Sequence, residues 1–215
     1  MRRSDRFFQR FSGLALLVLS GGLSVSLAAD APKTKPLEKF ERIDEKTLKL
    51  NDAQAKVVNT KDRNHPRVLE LKMDFAKPYS YPGFSKSFPE ATLNPTRYEG
   101  FRFWVKSDVG TAFAVSVAGS YKRKDGKDNW FVGGGFQATG EWQQITVPLS
   151  SFKRASHKFF RDGKQMVSPG GGEPMDEEDY GGTNRISFST SVERRGVSVV
   201  GHLMFDELEL IEKQK

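Results

Sequence analysis

The chain has 215 residues, with 34 lysines and arginines against 27 aspartates and glutamates, three histidines and no cysteine. Without cysteine there is neither a disulfide framework nor a thiolate nucleophile, so a fold of this length has to be held by a packed core. The formal net charge is +7, but an amino-terminal leader supplies four of the basic residues and one of the acidic ones, and the remaining 30 against 26 is too small an excess to argue for nucleic acid or a membrane surface.

That leader has a basic start (Arg2, Arg3, Arg6, Arg10), an apolar stretch Gly13–Leu27 (GLALLVLSGGLSVSL), and small-residue cleavage sites at Ser26-Leu27-Ala28 and Leu27-Ala28-Ala29. The pattern is that of a secretory signal peptide over residues 1–29, and it predicts an exported protein, periplasmic or extracellular. The rival reading is an uncleaved anchor. Against it stand Gly21 and Gly22 and a run shorter than the ~20 apolar residues of a spanning helix. Arg2-Arg3 fits twin-arginine export poorly. Asp30–Pro36 (DAPKTKP) reads as a short tether and residues 37–212 as one domain.

Period two dominates that domain. Leu37–Ile43 and Ala55–Thr60 are expected strands, and Arg67–Phe75 (RVLELKMDF) alternates throughout, with Leu69, Leu71, Met73 and Phe75 on one face. Pro78–Pro95 reads as loop from Pro82-Gly83 and Pro89. Tyr98–Lys106 (YEGFRFWVK) puts Phe101, Phe103 and Val105 on one face and Tyr98, Arg102, Trp104 and Lys106 on the other. Ala112–Tyr121 repeats the theme. Lys124-Asp125-Gly126-Lys127 is a hairpin signal leading into Asn129–Phe136. There Gly133–Gly135 mark a bulge or a close approach, and Trp130 is assigned to the core with Val132 and Phe136. Trp142 opens a strand that carries Ile145 and Val147 and that Pro148 terminates, with Leu149 and Phe152 reaching the core beyond it. Residues 153–184 read as a long irregular loop. Ile186–Val192 and Val199–Leu210 resume the alternation. Many short strands without a long helix predict an all-β antiparallel sandwich in a single domain.

Three segments in this order, Tyr98–Asp108 (YEGFRFWVKSD), Trp142–Phe152 and Phe205–Leu210 (FDELEL), resemble the galactose-binding-domain-like jelly rolls. Within these they resemble carbohydrate-binding modules of the family-eleven kind and the complex I intermediate-associated proteins that share the fold. The resemblance spans most of Leu37–Ile211, and its motifs are structural, so they identify a fold more firmly than an activity. With the leader, it implies an exported, non-catalytic protein that recognises a polysaccharide or oligosaccharide. It also implies one structural Ca2+ between the first and last strands, held at Glu41 and Asp206. On the residues alone, Asp206 shares a face with Met204, Leu208 and Leu210, where an unpaired carboxylate is costly. A cation, backbone N–H groups or an arginine would each meet that demand.

Sugar binding requires flat aromatic faces beside polar groups that fix hydroxyls. Tyr98, Arg102 and Trp104 supply these on one strand face. Ser187 and Ser189 would join them if their strands share a sheet, and Tyr121 and Tyr180 are placed to rim the site. Lys122-Arg123-Lys124, Lys153-Arg154, His157, Lys158 and Arg161 would favour an acidic polysaccharide, or are a solvated hairpin tip and loop. Asp176–Asp179 (DEED) is expected to be solvated or paired with that basic loop. Two other classes of function compete. A secreted protein-interaction module would show an exposed apolar patch. A glycan-active enzyme would need a matched pair of carboxylates, and the sequence singles out none. His65, His157 and His202 lack metal-ligand spacing, and no Gly-x-Ser-x-Gly elbow or phosphate loop is present.

Overall fold

A computed structural model describes residues 31–74, 82–108, 110–119, 129–155, 158–161, 164–167, 171–190 and 200–214. The signal segment, the 124–127 turn, Tyr121, Lys122-Arg123-Lys124, Phe75 and His157 lie outside the described residues. The elements in chain order are β1 (Thr34–Glu38), β2 (Leu48–Asn51), β3 (Ala53–Asn59), β4 (Arg67–Asp74), β5 (Gly83–Ser87), β6 (Tyr98–Ser107) and β7 (Ala112–Gly119). They continue with β8 (Trp130–Gln137), β9 (Gln143–Pro148), β10 (Lys153–Arg154), β11 (Lys158–Arg161), β12 (Lys164–Val167), α1 (Glu177–Gly182), β13 (Thr183–Ser189) and β14 (Val200–Glu212).

Two six-stranded antiparallel sheets form the jelly-roll sandwich. The first has the order β3-β4-β14-β6-β9, and the second β10-β8-β7-β13-β5-β2. At 13 residues, β14 is long enough to pair with β4 over Val200–Phe205 and with β1 over Leu208–Ile211. The inward faces meet in a phenylalanine cluster. Phe188 stacks on Phe84 at 4.9 Å, meets Phe103 edge-on at 4.9 Å and lies 5.2 Å from Phe205. Burial of rings like these, at about 1.5–3 kcal/mol each, is what replaces disulfides here.

The strong alternations form the expected strands: Leu69, Leu71, Met73, Phe101, Phe103, Val105, Ile186 and Phe188 are all buried. Pro148 ends β9, and the single 3-10 turn Leu149–Ser151 that follows carries Leu149 and Phe152 into the core. Elsewhere the boundaries differ. β1 begins at Thr34, inside the expected tether, β2 lies between the two expected strands where no element is expected, and β5 occupies a stretch read as loop. The loop over 153–184 contains β10, a β11–β12 hairpin and α1.

Three bulges shift faces relative to simple counting, because one extra residue in a strand sends every later side chain to the other side. In β14, Asp206 faces Trp104 and Glu209 faces Arg102, so three steps on β14 span two on β6; Glu207 absorbs the difference at φ 47°. Leu208 and Leu210 therefore point into the core while Asp206 points out with Met204. In β8, Val132 and Gly134 oppose the adjacent residues Ser116 and Val115, leaving Gly133 as the extra residue. Phe131 and Phe136 then both face inward and Trp130 outward, the reverse of its expected placement. At the start of β6, Ile211 pairs with Gly100 but Glu212 with Tyr98. That irregularity turns Tyr98 into the core and removes it from the face of Arg102 and Trp104.

Candidate functional site

The residues expected to bind ligand are divided between opposite outer faces. β6 belongs to the first sheet and β13 to the second, so Arg102 and Trp104 lie on one side of the sandwich and Ser187 and Ser189 on the other. Tyr98 is buried. Tyr180, on α1, packs against the core and donates its hydroxyl to the Leu149 carbonyl at 3.1 Å. Burial, then the adjacent Asp179 carboxylate, holds that phenol above its ordinary value.

On the first sheet's outer face, a loop closes over the predicted platform. The β3–β4 connection folds back through Thr60 N–H donating to the Pro66 carbonyl and carries His65 across the sheet. The His65 ring lies 4.3 Å from the Trp142 ring and 4.9 Å, edge-on, from that of Trp104. Its Nδ1 is 2.9 Å from Asp206 Oδ2, and both residues are only 5% exposed. Asp206 Oδ1 accepts the Glu207 N–H at 2.9 Å. Burial is the main influence on Asp206 and raises its affinity for a proton; the His65 bond opposes this, and the exposed Glu41 carboxylate adds to it. Arg102 Nε donates to Glu209 at 2.9 Å. His65 thus contacts both indoles, which remain half-buried, and Arg102 is ion-paired on the same face.

The same geometry bears on calcium. Asp206 is satisfied by an imidazole and a backbone N–H, whereas calcium needs several oxygen ligands. Among the described residues no group of three or more His, Cys, Asp or Glu side chains could hold a metal ion. Glu41 and Asp206 belong to no such group.

The second sheet presents a different surface. With Phe84, Val115, Val117, Phe131, Ile186 and Phe188 facing inward, the alternate residues face out, and most are small. One register row crosses all six strands: Lys153 opposite Val132, Val132 opposite Ser116, then Ser187, Ser85 and Lys49. Beside it runs a second row, Trp130–Ala118–Arg185–Ser87. Although they point away from the core, Ser116 is 7% and Ala118 3% exposed, so this floor lies below its surroundings. The hydroxyls of Ser85, Ser116 and Ser187 have no hydrogen-bond partner among the described residues. With strands about 4.8 Å apart, the three form a line about 10 Å long. Trp130 stands half-buried at one border of this floor.

Sequence reasoning singled out Ser187 and Ser189 and gave no role to Ser85, Ser116 or Arg185, which the register places beside them, and it put Trp130 on the inward face where the structure turns it outward. Ser85 fell within an assumed loop. The glycine triplet was the available signal that the β8 count would change phase.

Of the basic loop, Arg154 is unavailable to any ligand: it is buried against the Phe131 ring and bonded to Asp179 and Glu173. That pair bears out the expected link between the acidic run and the basic segment.

No protein-family model and no curated protein matches the chain. Solved structures do. A family 11 carbohydrate-binding module of a cellulosomal cellulase from Clostridium thermocellum is 20% identical over 86% of this chain and 98% of its own, with a TM-score of 0.57. A family 11 module from the same organism, in complex with a β-1,3-1,4-mixed-linked tetrasaccharide, is 20% identical over 84% and 96% with a TM-score of 0.55. An exo-β-agarase is 17% identical over 85% of this chain and 26% of its own, with a TM-score of 0.57. The chain shares the jelly-roll fold of the family 11 modules.

Proposed function

We propose that the protein is an exported, non-catalytic carbohydrate-binding protein whose ligand lies across the second sheet. The observation that carries this reading is the register row Ser116–Ser187–Ser85, a line of hydroxyls without a hydrogen-bond partner among the described residues. Such hydroxyls can exchange hydrogen bonds with sugar hydroxyls. Small floor residues leave room for a chain to lie flat. The fold shared with a module solved around a tetrasaccharide supports the reading, and the leader sequence supports export. A protein-docking role has less to recommend it. Leu50 is the one exposed large hydrophobic among the described residues, and a single side chain makes no apolar patch.

Affinity electrophoresis against mixed-linkage β-glucan, agarose and polygalacturonate tests this. Retardation by at least one polymer is expected, reduced in Ser116→Ala/Ser187→Ala and kept in Trp104→Ala. Retardation by none, or loss in Trp104→Ala alone, overturns it.

A further inference from the structure

We propose that the second-sheet face takes an anionic polysaccharide, bearing carboxylate or sulfate groups, through Lys49, Lys153 and Arg185. This inference rests on the reading of the floor as a glycan site and adds the chemistry of its ligand. The serine row ends in a lysine at each edge of the sheet, Lys153 on β10 and Lys49 on β2. Five strand spacings separate them, about 24 Å. Arg185 rises between them from the middle of the floor, with Ala118 and Ser87 as its cross-strand neighbours, both too short to cover a guanidinium. All three cations are exposed.

None of the three is ion-paired among the described residues. Lys49 Nζ donates to the Glu45 carbonyl at 2.8 Å, and the side chains of Lys153 and Arg185 have no partner among the described residues. Among the described residues of β2, β5, β7, β8, β10 and β13, no acidic side chain leaves the sheet on this side. The other outer face differs, because there Lys56 is paired with Glu70 and Arg102 with Glu209. The charges on the strands of this face are therefore all positive, whereas the opposite face carries both signs in ion pairs. Such a field attracts a polyanion, the guanidinium fork suits a carboxylate or sulfate, and the serines are left to bind hydroxyls between charges.

The test is titration of the protein with polygalacturonate as carboxylate probe, a sulfated galactan as sulfate probe and mixed-linkage β-glucan as neutral probe, each at low and high salt. The expected result is preference for one or both anionic polymers, weakening with salt and about tenfold weaker in Lys49→Ala/Lys153→Ala/Arg185→Ala. A reverse-face variant with the same charge change, Lys56→Ala/Lys72→Ala/Lys106→Ala, should keep its affinity. Equal loss in both variants would reduce the effect to net charge and overturn the inference. Binding of the neutral glucan alone, unaffected by the floor variant, would overturn the inference and leave carbohydrate binding standing. Binding to no polymer would remove both.

Discussion

Asp179→Ala should be among the most damaging single changes in the domain. Asp179 has a fully buried carboxylate that accepts from Arg154 Nη2 at 3.1 and 3.2 Å and from the Asp176 N–H at 3.0 Å. The Arg154 side chain is 4% exposed, and its other named partner, Glu173, is 43% exposed. Removing the inner carboxylate leaves a guanidinium in the interior with a screened counter-ion and the Phe131 ring. Breaking a buried pair from one side costs about 3–5 kcal/mol. At about 2–4 °C per kcal/mol for a domain of this size, the melting temperature should fall by about 6–20 °C. Loss of both charges is a different perturbation, since apolar replacement of a whole buried pair is often nearly neutral. Arg154→Leu/Asp179→Leu should recover much of the loss. The assay is thermal and urea unfolding of the two variants beside the unaltered protein. A drop under about 2 °C for Asp179→Ala, or a double variant worse than the single one, would refute the reasoning.

Gly133→Ala should also destabilise, because its Cβ would sit 2.6 Å from two atoms of the fully buried Phe152 ring; overpacking of this kind costs about 1–3 kcal/mol, and an unchanged melting temperature would contradict it. Asp206 gives a pH signature. Its folded-state affinity for a proton is raised above the ordinary value of 3.8, so the native state holds more protons than the unfolded chain just above that pH, and this contribution to stability is lost as pH rises through the raised value. The stability difference between the unaltered protein and Asp206→Asn should therefore decline with rising pH in that interval; a difference that grows would reverse the sign. EDTA and added calcium should each leave the melting temperature unchanged, and a rise with calcium would show a site that Glu41 and Asp206 do not form by themselves.

Alternation made the central strands legible because a half-buried strand has to alternate. It could not reveal phase across a bulge. Nothing in FDELEL marks Glu207 as the residue that adopts a left-handed conformation, so Asp206 was counted with Leu208 and Leu210 although it faces the opposite way. Tyr98 was misplaced for the same reason. The short strands LKLN and GFSKS are four and five residues long, too short for a period to stand out against flanking turn signals.

The larger gap concerns pairing between strands. Periodicity says which residues share a strand face but not which strands share a sheet. Joining Arg102 and Trp104 to Ser187 and Ser189 depends on a shared sheet, and the full thickness of the sandwich separates them instead. The serine row exists only in the register of β7, β13 and β5, and no single segment contains it. His65, a lone histidine in the sequence, acquires its role only when its loop folds over Asp206 and two tryptophans.

The ligand is proposed to lie on the second sheet. Amide chemical-shift mapping with an oligosaccharide of whichever polymer is retained tests it most directly. Perturbations should concentrate at Ser85, Ser116, Ser187, Arg185 and Trp130 and spare Arg102, Trp104 and Gln144. A footprint centred on Trp104 and Trp142 would contradict the account, because it would require His65 to leave the platform it covers.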